Sequence, residues 1–377
     1  MGAFKDEISP ALVRALGAEL SRASSEFPLE RFVALATDGL ADHELLARVA
    51  HVARALGACL PEPFGAGARV LRGALASETF TGWMTLSCNA YVAEHGIDEP
   101  EVALPLLAGL TPRFSSEGAI RPFIERHPEA TFAWLRRWLE DPDEHVRRLV
   151  SEGTRPRLPW AAQLRGLRAD PRPAIAMLDR LVEDESRYVR RSVANHLNDI
   201  AKDHPDLALE TAARWRSTGG ERAAEVVRRG LRTLLKQGDP RALAAVGFDP
   251  SAAVRLDDLT VSPRRAAIGE TVELAMTLSA GGDAPTRVMV DYLVHHAGAR
   301  GTRVAKVFKL TTCTLQPGVP RRIVRRHAFR EVSVRRIHPG PHLLEVQVNG
   351  RVLGGAVVDV TSRPARRVAP APPTSRA

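Results

Sequence analysis

The sequence is poor in cysteine and has no long apolar runs. Its three cysteines, Cys59, Cys88 and Cys313, are far apart and form no C-x-x-C pair, which argues against a disulfide framework or a zinc site. No uncharged apolar stretch approaches the roughly 20 residues of a membrane-spanning helix, and the first residues do not resemble a signal peptide. The motifs of serine hydrolases, zinc proteases and P-loop enzymes are missing too. We therefore expect a cytoplasmic protein that does not contact membranes.

Paired arginines recur through the first two thirds of the chain. A Val-Arg-Arg motif begins at Val146, at Val189 and at Val227, and each copy is followed by two small or apolar residues. Spacings of about 40 residues are typical of HEAT- or armadillo-type solenoids built from helix pairs. Apolar residues at three- and four-residue spacing predict helices up to residue 245. The stretch Glu62–Arg69, which contains a glycine doublet, is predicted to be a loop between helices.

The character of the sequence changes after Pro250. About seven short β-rich runs follow, and Asn349-Gly350 is a strong hairpin-turn signal. Seven strands in such a length favour an immunoglobulin-like β-sandwich. We therefore predict a multidomain, α-then-β fold. A HEAT-like α-helical repeat solenoid occupies residues 1–247, an immunoglobulin-like β-sandwich occupies 254–362, and a disordered basic tail occupies 363–377.

Positive charge is concentrated at the carboxyl end. Residues 246–377 carry 20 Lys/Arg against 10 Asp/Glu, whereas the preceding residues carry 33 against 34. This asymmetry favours binding to nucleic acid, although an arginine surplus that merely solvates the surface is the alternative. Arg325 and Arg326 belong to a basic cluster. We expect this cluster either to bind DNA phosphates or to protect a strand edge from aggregation.

Two acidic residues interrupt the arginine rows of the repeats. In the segment Tyr188–Ile200, Val189 and its helical partners form the buried stripe, and Arg191, Asn195 and Asp199 form a polar row on the opposite side. In the preceding repeat, Arg148 and Glu152 form the matching row. The carboxylates would lie in an arginine-lined groove, unless Arg148 and Glu152 are an ordinary i,i+4 surface pair.

Three segments resemble the AlkC branch of the HEAT-like-repeat DNA alkylation-repair glycosylases: Phe114–Phe123, Arg147–Trp160 and Tyr188–Ile200. The resemblance extends well over residues 110–245 and loosely over 1–110, and one AlkC subgroup also carries a C-terminal immunoglobulin-like domain. It implies hydrolytic excision of cationic N-alkylated bases, such as 3-methyladenine and 3-methylcytosine, in base excision repair and without full base flipping.

The resemblance also implies the site residues. Glu152 and Asp199 are the matching carboxylates, Trp160 is the matching aromatic residue, and Glu117 is a weaker candidate that could instead cap a helix. The residues expected to bind DNA are Arg148, Arg155, Arg157, Arg190, Arg191, Asn195, Arg325 and Arg326.

An N3-methylated base is already cationic and leaves as a neutral molecule, so stabilising the sugar cation and orienting water suffice. We expect no metal and no organic cofactor. The expected partner is double-stranded DNA containing alkylated bases, bound by a monomer associated with the nucleoid. The alternative hypothesis is a non-catalytic HEAT-repeat protein that binds DNA or a protein partner. Carboxylates facing DNA discriminate between the two, because a pure phosphate binder gains nothing from them.

Overall fold

The chain forms two compact units, Met1–Arg232 and Thr233–Ala377. The computed structural model describes residues 4–298, 304–331 and 336–362. The predicted basic tail, 363–377, lies outside the described residues. None of the helices in the described part of the chain is long and apolar enough to cross a bilayer.

The described residues contain sixteen α-helices before the first strand, as the prediction of a helical array requires. Their bounds are α1 Pro10–Ala23, α2 Leu29–Thr37, α3 Leu45–Cys59, α4 Phe64–Ala74, α5 Trp83–His95, α6 Pro100–Leu110, α7 Arg121–Arg126, α8 Pro128–Arg137, α9 Glu144–Gly153, α10 Arg165–Ala169, α11 Arg172–Leu181, α12 Arg187–Asp203, α13 Pro205–Thr218, α14 Glu221–Gly230, α15 Arg232–Gln237 and α16 Pro240–Ala245. Short 3-10 helices cover Phe4–Glu7, Leu40–Asp42, Thr111–Arg113 and Trp138–Glu140.

Helix α12 shows why these segments are helical. Ser186 caps its amino end by accepting hydrogen bonds from the backbone N–H groups of Tyr188 and Val189, which satisfies donors that have no partner inside the helix. The predicted apolar stripe is buried, with Val189 and Leu197 fully enclosed. This stripe packs α12 against α9 on one side and α14 on the other. The predicted HEAT-like stacking is therefore confirmed.

The prediction of a loop at Glu62–Arg69 is wrong for residues 64–69. Helix α4 begins at Phe64 and includes both glycines of the doublet. A Cβ on Gly67 would lie 2.4 Å from the Tyr91 hydroxyl and 3.2 Å from the Pro61 carbonyl oxygen. The glycine therefore permits close packing of two helices, and it does not mark a turn.

The strands of the carboxyl-terminal unit form a two-sheet β-sandwich, as predicted. Its strands are β1 Val254–Ser262, β2 Arg265–Ala267, β3 Thr271–Ala280, β4 Thr286–His296, β5 Val304–Leu315, β6 Arg321–Ala328, β7 Gly340–Val348 and β8 Arg351–Thr361. One sheet has the order β1-β3-β6, and the other has the order β2-β8-β7-β4-β5. Seven strands match the predicted runs. The additional strand, β2, is too short to show alternation and pairs in parallel with β8.

The predicted hairpin at Asn349-Gly350 joins β7 to β8. Asn349 has a φ of 43° and Gly350 a φ of 81°, the left-handed values that a tight two-residue turn requires. The Asn349 side chain accepts a hydrogen bond from the Met289 N–H at 2.8 Å and donates one to the Asp249 carbonyl at 2.9 Å. The turn is therefore fixed to β4 as well as to its own strands.

Asp291 is a charged group inside the larger sheet. It pairs with Lys309 of β5 and Gln347 of β7, and its side chain is buried. Burial raises the pKa of Asp291 to about 6, against the opposing effects of Lys309 and of a hydrogen bond from the Leu310 backbone. Because this pKa lies above the ordinary value, the ionised carboxylate destabilises the folded sandwich at neutral and alkaline pH.

We expect Asp291→Asn to stabilise the protein at pH 8 by about 2 to 3 kcal/mol, since each pKa unit corresponds to about 1.4 kcal/mol. The gain should shrink as the pH falls below 6 and vanish below about pH 3, where the wild-type group is protonated in both states. Thermal unfolding of the full chain across this pH range measures it. Asp283→Asn, in the exposed loop between β3 and β4, is the control. A gain that does not vary with pH would contradict this account.

Candidate active site

Two buried carboxylates share one buried arginine where α9 and α12 meet. Glu152 lies near the end of α9, Asp199 lies in α12, and Arg155 follows α9 in the connecting loop. The Arg155 Nη1 atom is 2.5 Å from Glu152 Oε1, and its Nε and Nη2 atoms are each 2.8 Å from Asp199 Oδ2. The Ser192 hydroxyl donates to the second Glu152 oxygen at 2.5 Å. Arg155 thus joins carboxylates that are far apart in the sequence.

The carboxylates lie deeper than helical periodicity predicts. Glu152 is 5 % exposed and Asp199 is 1 % exposed, although the sequence places both on a polar row facing a groove. Arg155 reaches both of them from the loop. Burying two carboxylates is tolerated only when their charges are paired and hydrogen-bonded. Arg155, predicted to bind DNA, is therefore a structural partner of both candidate catalytic acids, and its predicted contact with DNA stays a prediction.

Further ion pairs extend this arrangement into an alternating chain of charges. Arg148 lies 2.7 Å from a Glu117 oxygen and 3.7 Å from Glu152 Oε1. At the other end, Lys202 Nζ is 3.0 Å from Asp199 Oδ1. We call this set the ion-pair chain; in order it contains Glu117, Arg148, Glu152, Arg155, Asp199 and Lys202. The structure therefore brings together the three predicted carboxylates, and Glu117 bonds to Arg148 across the repeats.

Arg121 holds the loop that carries Arg155 and Trp160. Its guanidinium donates four hydrogen bonds, to the carbonyl oxygens of Gly153, Arg155 and Ala162, at 2.6 to 3.0 Å. Burial lowers the pKa of Arg121 to about 10, and the nearby charge of Arg155 adds to this effect. The group nevertheless remains cationic at physiological pH. Arg121 lies in the segment Phe114–Phe123, which resembles AlkC. Its role could not be predicted, because it depends on carbonyl groups that are distant in the sequence.

Trp160 lies at the surface on this loop. It is 69 % exposed, and its φ of 62° is in the left-handed region that favours glycine. A non-glycine residue in this region costs on the order of 1–3 kcal/mol unless its surroundings hold it. The Arg121 bonds on either side of Trp160 supply that restraint. The indole ring is therefore presented to solvent by a loop that is fixed from below.

The two arginines of a repeated pair have different contacts. In the first two copies the first arginine bonds to nearby loops: Arg147 bonds to Asp184 at 2.8 Å, and Arg190 donates to the Asp184 and Glu185 carbonyls at 2.7 and 2.9 Å. Arg228, the first arginine of the third copy, is exposed. The second arginines, Arg191 and Arg229, line a cavity of about 360 Å³ with Tyr188. Arg148, the second arginine of the first copy, lies over the Tyr188 ring at 4.7 Å. Arg191 and Arg229 are therefore placed to meet an anion at this cavity, whereas Arg148 is paired with Glu117.

The other predicted DNA-binding residues differ in their exposure and in whether they are paired. Arg157 is bound to both oxygens of Asp203 at 2.6 and 2.7 Å, an interaction that lowers the pKa of Asp203 to about 2. Asn195 is half-buried on α12, whereas Arg325 and Arg326 are exposed on the edge strand β6. Of these residues, the two sandwich arginines are the most accessible to a partner.

His196, beside the carboxylates, does not serve as an acid. It is fully buried, its Nδ1 atom lies 2.9 Å from the Ser151 carbonyl oxygen, and burial lowers its pKa to about 3. The imidazole is therefore neutral at physiological pH and donates to that carbonyl. Among the described residues, no group of three or more His, Cys, Asp or Glu side chains is arranged to hold a metal ion. The chemistry that the ion-pair chain offers is electrostatic stabilisation of a cation.

Comparisons with known proteins match this architecture. The family model described as the YhaZ C-terminal Ig-like domain matches residues 255–362. The uncharacterized protein YhaZ of Bacillus subtilis (strain 168) is 34 % identical over 353 residues, which cover 93 % of this chain and 98 % of the relative. The structure of Pseudomonas fluorescens alkylpurine DNA glycosylase AlkC, bound to DNA containing an abasic site analogue, matches with a TM-score of 0.90 and 35 % identity, over 96 % of this chain and 100 % of that one.

The fold and the site together define a member of the HEAT-like-repeat DNA glycosylases. Both similarities run along almost the whole of each chain and exceed 30 % identity. The chain belongs to the AlkC family. The family resemblance of the sequence is therefore confirmed.

We expect Arg121→Met to loosen the loop that carries Trp160. The substitution removes a charged donor from three carbonyls and should cost about 3 kcal/mol in the free energy of unfolding. Trypsin should also cut the Arg157–Leu158 bond many times faster than in the wild type. Denaturant unfolding and timed proteolysis measure both effects.

Arg126→Met, on the same helix α7, is the matched control, because the Arg126 side chain is 62 % exposed and pairs with the equally accessible Asp98 at 2.9 Å. It should unfold and be cleaved like the wild type. Equal cleavage rates for the two variants would show that Arg121 does not restrain the loop.

Proposed function

We propose that this protein is a DNA glycosylase that releases cationic N-alkylated bases, of the 3-methyladenine and 3-methylcytosine type, by hydrolysing the N-glycosidic bond in base excision repair. The observation that carries the proposal is the pair of carboxylates, Glu152 and Asp199, held on Arg155 of the loop that also carries the exposed Trp160. Membership of the AlkC family supports it, since AlkC of Pseudomonas fluorescens is an alkylpurine DNA glycosylase.

The proposed reaction needs little acid catalysis. The bond between the sugar C1′ atom and the base nitrogen breaks, and the cationic base leaves as a neutral molecule with the bonding electrons. Positive charge then develops on the sugar, where the fixed carboxylates stabilise it. Water adds to C1′ and gives up its proton to a carboxylate or to solvent. The neutral state of His196 fits a site that supplies no strong acid.

We further propose that the lesion is attacked without being flipped into an enclosed pocket. Trp160 is the aromatic residue that the family resemblance assigns to the site. It is 69 % exposed at the surface and is not a wall of a closed cavity. An exposed indole can meet a sugar or base in a bent duplex directly. This differs from the usual glycosylase strategy of extruding the target nucleotide.

The proposed partner is duplex DNA that contains alkylated bases. Arg148 and Arg191, with Asn195, are proposed to contact phosphates, because Arg191 lines a surface cavity with Tyr188 and Arg148 lies over the ring of the same tyrosine. We also propose that the protein acts as a monomer on DNA of the nucleoid, in the cytoplasm.

Release of free base from methylated DNA tests the function. Incubation of the full chain with DNA containing 3-methyladenine or 3-methylcytosine should liberate those bases and leave abasic sites. DNA containing uracil or 8-oxoguanine should stay intact, because these bases carry no positive charge. Binding to DNA with no base release would favour the alternative of a non-catalytic repeat protein, and efficient uracil release would reveal an acid that the proposal lacks.

We expect Glu152→Gln to reduce single-turnover base release by two or more orders of magnitude, the scale of losing a main electrostatic stabiliser. DNA affinity should be kept or improved, because a negative charge is removed near the phosphates. Asp199→Asn should act in the same direction. Glu144→Gln, an exposed change on the same helix, should leave the rate unchanged. Near-normal excision by a folded Glu152→Gln protein would remove this residue from the mechanism.

Arg325 and Arg326 are proposed to contact DNA phosphates, against the alternative of a charged strand edge that prevents aggregation. If they do, the double change to glutamine should weaken DNA binding and flatten its salt dependence by roughly 0.9 in log-log slope for each phosphate that is no longer bound. The control is the double change of Arg264 and Arg265 to glutamine, which removes the same charge from exposed positions at β2. Identical slopes for the two double variants would favour the edge-protection alternative.

A further inference from the structure

Four aromatic rings form a continuous row beside the candidate active site. The Trp160 and Phe4 ring centroids are 6.0 Å apart, those of Phe4 and Trp83 are 6.2 Å apart, and those of Trp83 and Phe114 are 5.1 Å apart. These rings come from four separate parts of the chain. We call them the aromatic row.

The aromatic row is unusually accessible. Phe4 is 64 % exposed, Trp160 is 69 % exposed and Phe114 is 40 % exposed, while Trp83 is half-buried. Contiguous exposed apolar side chains are uncommon on soluble proteins unless they bind something. The tilted and edge contacts among the rings do not remove them from water, so the row has apolar surface available for a partner.

Both ends of the row are fixed to the site. Phe114 precedes Ser115, whose hydroxyl donates to Glu117 of the ion-pair chain. Trp160 lies in the loop that Arg121 restrains through the Ala162 carbonyl. A partner that reaches the carboxylates is therefore adjacent to the aromatic row.

The middle of the row is anchored as well. Phe4 begins a 3-10 helix, and Arg48 of α3 donates to the Lys5 and Ile8 carbonyls at 2.8 and 3.1 Å. Lys5 also pairs with Glu44 at 2.6 Å. The Phe4 ring is thus held in place although most of it faces solvent.

We propose that Phe4, Trp83 and Phe114 extend Trp160 into a stacking platform for nucleobases that become unstacked where the duplex is kinked at a lesion. This inference rests on the proposed function. Aromatic faces bind unstacked bases with little dependence on sequence, and apolar wedges stabilise kinked steps in duplex DNA. Arg113, which precedes Phe114 and donates to the neutral Leu75 carbonyl at 2.6 Å, offers a positive charge for the adjoining phosphates. A row of rings next to such charge fits a nucleic acid better than it fits a second copy of this chain.

The test compares two duplexes of one sequence, one intact and one containing a tetrahydrofuran abasic-site analogue. Phe4→Ala and Phe114→Ala should each raise the Kd for the abasic duplex by about tenfold, within the range for removing one stacked base. The Kd for the intact duplex should change less than twofold, because its bases remain stacked. The slope of log Kd against log salt should stay constant, because the same phosphates remain bound.

Two further variants separate stacking from general loss of structure. Phe4→Tyr keeps an aromatic ring and should bind the abasic duplex like the wild type. Leu35→Ala removes an apolar side chain of α2 that is 42 % exposed, close to the exposure of Phe114, and should have no effect. Circular dichroism checks that each variant is folded.

Several outcomes would overturn the platform. They are an unchanged Kd for the abasic duplex in both alanine variants, equal weakening for both duplexes, or a concentration-dependent dimer of the wild type that Phe4→Ala abolishes. Because binding to an abasic analogue needs no bond cleavage, the platform and the proposed function fail separately. Selective loss of abasic-duplex binding without any base release by the wild type would refute only the glycosylase, and normal release with an unchanged Kd in the variants would refute only the platform.

Discussion

The site depends on the buried guanidinium of Arg155. Without its positive charge, Glu152 and Asp199 would be two uncompensated carboxylates enclosed at 5 % and 1 % exposure, a strongly destabilising arrangement. Arg155 can reach both only while α9 and α12 are stacked in one register, because each helix supplies one carboxylate. The packing of neighbouring repeats and the pairing of charges in the site are therefore a single requirement.

The first two copies of the Val-Arg-Arg motif join neighbouring repeats through their first arginines. Arg147 bonds to Asp184, and Arg190 lies 3.6 Å from Glu225, so each contacts an acidic residue of the following repeat and helps to fix the spacing of the helices. The second arginine follows about 100° further around the helix. Arg191 and Arg229 line the cavity beside Tyr188, and Arg148 pairs with Glu117. The motif therefore serves the stacking of repeats and also places arginines at a surface cavity.

Sequence periodicity predicted what depends on local pattern. The helices, the buried stripe of α12, seven strands and the Asn349-Gly350 turn follow from spacing and turn chemistry, and the AlkC resemblance located the carboxylates. The inward fold of Arg155, the carbonyl contacts of Arg121 and the helical setting of Gly67 were not predictable, because each depends on atoms that are close only after folding. Strand β2 was not predicted either, because its three residues are too few to show the alternation of polar and apolar side chains.

The charge balance of the site reconciles DNA binding with cation stabilisation. The ion-pair chain contains three carboxylates and three cations, so its net charge is zero and it does not repel phosphates at long range, where screening leaves little of any dipole. At short range the carboxylate oxygens of Glu152 and Asp199 are held in place by Arg155, so they need no reorganisation when a cation forms. The arginine that neutralises the carboxylates therefore also fixes their oxygens.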